Sequence, residues 1–195
     1  MRIDLAIQNG SFGKNAQLVA AFEHAKTTTG RFHLLGLVSD GGVHSHQDHL
    51  HALLDAAKAA GVPDTIVHFF GDGRDTQPKS AVAYMGKLLD HIKTIGYGRV
   101  GVVVGRYFAM DRDNRWERIK VAYDALVAGS GLGGGAEHTD DVIKTIQARY
   151  DANETDEFLK PIEVSANSHI QGTLLLNIKT ISHCASTRQR HAALL

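Results

Sequence analysis

A chain of 195 residues with 43% apolar side chains has material for one packed domain. Its 21 Lys plus Arg balance its 21 Asp plus Glu, which excludes the basic excess that a general nucleic-acid surface requires. No apolar run approaches the roughly eighteen residues of a membrane span, and the single cysteine, Cys184, allows no disulfide within the chain and fits a reducing compartment. The opening Met1-Arg2-Ile3-Asp4 has neither the basic region nor the apolar core of a signal peptide, so a cytoplasmic protein is expected.

In chain order, Ser11 caps a predicted helix to residue 29 whose inner face is Leu18, Val19, Phe22 and Ala25, and Gly30 ends it. Phe32 to Val38 is a short apolar run bounded by glycines and reads as a buried strand. From Ser45, Leu50, Leu53, Leu54 and Ala57 recur at helical spacing, and Gly61 with Pro63 closes that helix. Thr65 to Phe70 is the second strand. Pro78 opens a helix with Val82, Met85, Leu89 and Ile92 inside, and Arg99 to Val104 is the third strand. Asp113 caps a predicted helix through Val127, with Ile119, Ala122, Tyr123 and Leu126 inward. Gly129 to Gly135 reads as a loop, 139–150 as a helix and Thr173 to Ile178 as a candidate strand, while Ser182 to Leu195 has no periodicity. Strand–helix alternation with crossover-length connections predicts an α/β fold. The expected architecture is a parallel-type sheet of at least three strands with helices on both faces, forming one domain over 1–164, followed by an irregular tail over 165–195.

In such sheets ligands bind beyond the carboxyl ends of the strands. Three loops leave those ends: Ser39 to Ser45, Gly71-Asp72-Gly73-Arg74-Asp75, and Gly105 to Arg112. All are rich in Gly, Asp, Arg or His, whereas the loops on the opposite edge, 61–64 and 96–98, read as plain turns. Each motif has a plain structural reading. Asp-Gly-Gly makes a turn, Arg74 and Asp75 form a surface pair, His44 starts a helix, and Arg115 and Arg118 with Glu117 make a solvated helix face. The joint arrangement favours a pocket for a small multiply charged anion. Arg106 and Arg112 clamp phosphate or carboxylate with planar forks, Asp75 holds a hydroxyl, and His44 donates to a phosphate oxygen. There is no GxxxxGK[ST] and no GxGxxG after a strand. His44, His46, His49 and His51 present no clear ligand face for zinc.

The three loops, in this order and wording, resemble cofactor-independent (2,3-bisphosphoglycerate-independent) phosphoglycerate mutase, from about Arg2 to Pro161. The matching segments are Leu34 to Ser45, His68 to Asp75 and Gly105 to Trp116. The resemblance implies interconversion of 3- and 2-phosphoglycerate in glycolysis by a two-domain enzyme. A phosphatase-like domain holds two Mn²⁺ or Mg²⁺ ions and a phosphorylated serine, and an inserted domain binds the glycerate. It maps the family's substrate-binding residues onto His44, Arg74, Asp75, Arg106 and Arg112, and places these 195 residues in the inserted domain. The serine and metal ligands are then expected outside them, to be supplied by a phosphatase-like domain, and the chain alone is expected to bind phosphoglycerate without turning it over. One departure stands out. The family follows an apolar strand with Asn-Phe-Arg-x-Asp-Arg, whereas Leu174-Leu175-Leu176-Asn177 runs into Ile178-Lys179-Thr180, without the two arginines. Two rival readings remain open: a stand-alone binding module for small phosphorylated acids, and a non-functional gene fragment.

Overall fold

The computed structural model describes residues 2–127 and 135–170 and the backbone of 175–177. Of the predicted glycine loop only Gly135 falls among them, and the aperiodic segment 182–195 lies outside. Six strands form one sheet in the order β4-β5-β3-β2-β1-β6. The centre is β1 (Arg31–Leu37), β2 (Asp64–Gly71) and β3 (Arg99–Gly105), paired in parallel. These match the three predicted strands to within a residue or two at each end. β6 (Leu175–Asn177) extends the sheet in parallel beside β1. On the other side β5 (Ile162–Glu163) runs antiparallel to β3, with β4 (Glu137–His138) parallel to β5.

The central strands are buried almost throughout because helices cover both faces. Residues alternate between the two faces in β1 and β2, whereas in β3, where the register with β2 shifts, Val100 and Val103 enter the same core. Phe32, Leu34, Val67, Phe69 and Val103 enter the larger core, while Leu37, Phe70 and Val104 enter the smaller one. The larger core is filled by α2 (Ala16–Thr27), α3 (Gln47–Ala59), α4 (Ala81–Ile95) and α7 (Val142–Asp151). The smaller is filled by α5 (Arg106–Ala109) and α6 (Trp116–Val127). A short helix, α1 (Arg2–Gln8), precedes these and escaped the periodicity reading because it is barely two turns long.

Three helix expectations need correction. The predicted helix from Ser11 is split: a 3-10 turn (Phe12–Lys14) precedes α2, which is capped by the Asn15 carboxamide accepting from the N–H of Gln17 and Leu18. Val19 is consequently exposed. α6 begins at Trp116, not after Asp113, and its buried residues are Ala122 and Ala125, while Tyr123 faces solvent. The last predicted helix starts at Val142, where the Asp141 carboxylate accepts from Lys144 N–H.

On the smaller-core face two histidines replace the apolar pair that alternation calls for. His33 and His68 are fully buried, stack with rings 5.2 Å apart, and share a hydrogen bond between Nδ1 of His33 and Nε2 of His68 (2.9 Å). Burial pushes His33 down to about 4 and His68 down to about 3. Both are neutral in the fold but take up a proton near pH 6.5 when unfolded. Their contribution is therefore complete above about pH 6.5 and is lost as pH falls from there toward the folded values, at about 1.4 kcal/mol per pH unit for each histidine. Urea unfolding at pH 7.5 and at pH 5 is expected to show a clear loss of stability on acidification, with a shallower slope in His68→Gln.

Candidate functional site

The carboxyl ends of β1, β2 and β3 meet at Asp72. Its side chain is 2% exposed and accepts from four groups on three loops. Ser39 Oγ reaches it from the end of β1 (2.7 Å). The N–H of Asp75 (3.0 Å) and of Arg74 (3.3 Å) fold the second loop over it. Nη1 of Arg106, the first residue after β3, completes the set at 2.7 Å. Burial alone raises the carboxyl pKa, but the Asp75 N–H, Ser39 hydroxyl, Arg106 guanidinium and Arg74 N–H outweigh it, and Asp72 stays an anion below its ordinary range. The same Arg106 Nη1 lies 2.7 Å from Asp75. Burial lowers the Arg106 pKa, but Asp75 and Asp72 together raise it, so its charge is locked in. The first loop is held close as well. Gly41 abuts Asp75 and Thr76, and Asp40 accepts the Tyr84 hydroxyl of α4 at 2.5 Å.

A later segment packs under these loops. The 3-10 turn Asp156–Phe158 follows α7 and lies against the ends of β2 and β3. Asp156 is buried and accepts from the N–H of Ser80 (2.8 Å) and Ala81 (2.9 Å), capping α4, and from the hydroxyls of Ser80 and Tyr150. Burial raises its pKa and that of Tyr150. Glu157 accepts Nη2 of Arg74 at 2.5 Å. Phe158 packs on Tyr107, with ring centroids 5.0 Å apart.

The third loop is organised by Asp111. Its carboxylate accepts the N–H of Asp113 (3.2 Å) and of Arg115 (2.8 Å), and takes the ion pair from Arg118 Nη1 (2.9 Å). The Arg118 guanidinium lies 4.1 Å from the Tyr107 ring centroid. This corrects the expectation that Arg118 belongs to a solvated helix face. Asp111 at one end and the Tyr107 ring beneath it draw Arg118 back onto the loop, while Arg115 stays exposed.

Of the five residues that sequence reasoning selected, the structure joins Arg74, Asp75 and Arg106 through Asp72. His44 and Arg112 lie on the same loops, both exposed, and neither makes an ion pair or hydrogen bond among the described residues. His44 adopts a left-handed conformation (φ 66°) at the tip of the first loop. Asp72, Asp111 and Glu157 were not singled out. For Asp72 a signal was available, since a carboxylate framed by two glycines at a strand end is well placed to be buried and to accept neighbouring N–H groups. Glu157 has none, because its partner lies 83 residues away. Among the described residues no group of three or more His, Cys, Asp or Glu is placed to hold a metal ion. Among them, too, no helix is long and apolar enough to cross a membrane.

Comparison with known proteins gives a family to this geometry. The family described as BPG-independent PGAM N-terminus matches residues 3–177. The chain is 54% identical over 165 residues to the 2,3-bisphosphoglycerate-independent phosphoglycerate mutase of Caenorhabditis elegans, covering 83% of this chain and 30% of that protein. With the enzyme of the same name from Onchocerca volvulus it shares 53% over 167 residues, or 85% of this chain and 32% of that one. Among solved structures, Leishmania mexicana phosphoglycerate mutase at low cobalt concentration matches with a TM-score of 0.75 and 25% identity, over 90% of this chain and 33% of that chain. The chain thus spans about a third of the length of these relatives. A family match over residues 3–177, together with strand-end loops joined through one buried carboxylate, places the chain in the BPG-independent phosphoglycerate mutase family, in its N-terminal region.

Proposed function

We propose that these residues are the phosphoglycerate-holding part, the inserted substrate-binding domain, of a 2,3-bisphosphoglycerate-independent phosphoglycerate mutase acting in glycolysis in the cytoplasm. The supporting observation is the Asp72 junction. It holds Arg106 and the Arg74–Asp75 turn at one edge of the sheet, beside the loops that carry His44 and Arg112. In this reading Arg74, Arg106 and Arg112 neutralise the phosphate and carboxylate, Asp75 accepts a glycerate hydroxyl, and His44 donates to a phosphate oxygen. Arg106 Nη1 faces Asp72 and Asp75, so its remaining N–H groups serve the ligand. The phosphoryl transfer itself, with its two Mn²⁺ or Mg²⁺ ions, belongs to residues outside those described. Such transfer rests on positioning and charge neutralisation, and the arginine set supplies part of both.

The test is ligand-linked stability. 3-Phosphoglycerate is expected to raise the melting temperature of the chain with concentration. The rise should shrink in Arg112→Ala and vanish in the Arg106→Ala/Arg112→Ala double variant, while inorganic sulfate gives a smaller rise. A melting temperature unmoved by millimolar phosphoglycerate would remove the reading. Mutase activity regained on mixing with a separately expressed phosphatase-like domain of the same family would separate an enzyme part from a stand-alone binding module.

A further inference from the structure

The geometry points to Glu157 as a positioning residue for Arg74, a role that rests on the reading of Arg74 as a ligand-binding residue. The two partners differ in how firmly each is held. Arg74 is a long side chain on an exposed loop, its side chain 46% exposed, and Glu157 is its only side-chain partner among the described residues. The Glu157 side chain is 13% exposed, and its backbone is wedged against the sheet. A Cβ added to Gly73 would lie 2.8 Å from the Glu157 nitrogen, and one added to Gly105 would collide with the Glu157 carbonyl. Hydrogen bonds fix the turn on both sides: Asp156 N–H donates to Pro78 O (2.8 Å), and Gly105 N–H donates to Leu159 O (2.8 Å). The largely buried carboxylate, on a backbone held against the sheet, therefore aims the more exposed guanidinium.

The contact uses Nη2 of Arg74 and a single carboxylate oxygen, so the rest of the fork remains free for an incoming anion. Arginine carries a large rotamer entropy, and a ligand that meets the side chain already oriented does not bear that ordering cost. The opposite reading makes Glu157 an internal competitor that occupies Arg74 until substrate displaces it. The two predict different responses to substitution. Glu157→Ala removes both the charge and the hydrogen bond, whereas Glu157→Gln removes the charge and keeps an acceptor oxygen.

Binding of 3-phosphoglycerate to the chain by calorimetry, with the Arg74 Nε–H order parameter by NMR, decides between them. For positioning, Glu157→Ala should weaken binding roughly five- to tenfold and lower the Arg74 order parameter. Glu157→Gln should restore both to near wild type, and Arg74→Ala should make Glu157→Ala silent. Tighter binding in both Glu157 variants overturns the inference in favour of competition. Wild-type affinity in Glu157→Ala, with Arg74→Ala still impaired, overturns it while leaving the anion site intact. Equal affinity in wild type and Arg74→Ala removes Arg74 from the site, and the positioning role with it.

Discussion

Replacing Gly105 with alanine is expected to destabilise the protein by about 3 kcal/mol or more, even though the backbone there is ordinary. Gly105 has φ −69° and ψ 148°, a conformation any residue adopts. The obstacle is space. The added methyl would lie against the Glu157 carbonyl and 2.7 Å from the Leu159 nitrogen, both backbone atoms of the turn hydrogen-bonded to Gly105 itself. Neither can rotate away as a side chain would, so the turn must lift off the end of β3 and take Asp156, the cap of α4, with it. A fall in melting temperature of roughly 10 °C corresponds to that cost in a chain of this size. Gly86 provides the internal control. It lies within α4 with nothing within 4 Å of an added methyl, and Gly86→Ala should be neutral or stabilising by up to about 1 kcal/mol. If Gly105→Ala melts like Gly86→Ala, the turn is not pressed on the strand as described.

Asp72→Ala should cost about as much, by a different route. It strips the acceptor from the Ser39 hydroxyl, from two loop N–H groups and from Arg106 in a single step. Groups left buried without partners are costly, and breaking a buried ion pair typically costs about 3–5 kcal/mol. Because Arg106 and the two N–H groups are only partly buried, about 3 kcal/mol is the better expectation. The sign with pH follows from the lowered carboxyl pKa. The folded anion is favoured over the unfolded one, so the contribution is present above about pH 4 and is lost as pH falls below it. The difference between wild type and Asp72→Ala in urea should therefore be full at pH 7. Asp72→Asn should recover part of it by retaining an acceptor oxygen. It should also bind 3-phosphoglycerate more weakly than wild type, since Arg106 then has Asp75 as its one charged partner.

What could be read from the sequence follows from what each signal measures. The central strands were legible because burial on both faces makes an unbroken apolar run, and the loops beyond them because parallel strands place them on one edge. Arg106 and Asp75 were legible as loop chemistry between a strand and a helix. Pairings across long separations were not. Glu157 sits in a turn whose local sequence gives no sign of Arg74, and β4 and β5 are two residues each, too short for any period to register. Arg118 was misread because helical spacing counts neighbours on the same helix, whereas its partners, Asp111 and Tyr107, precede that helix. Val19 and Tyr123 were placed inside by spacing alone. In each helix smaller or differently phased residues, Ala21 in α2 and Ala125 in α6, face the sheet instead.

The turn at Asp156–Phe158 also sets a timetable. The three loops that carry His44, Arg74, Asp75, Arg106 and Arg112 are made before that turn, from neighbouring strands joined by helical crossovers. The turn that caps α4 and meets Arg74 is made only after α7, and β6 reaches its place beside β1 later still. A nascent chain halted between α6 and α7 would thus hold Arg74, Arg106 and Arg112 on a partly built sheet, with Ser80 and Ala81 uncapped and Arg74 without its Glu157 partner. The proposed anion site is completed from behind, by a segment that carries none of the side chains proposed to face the ligand.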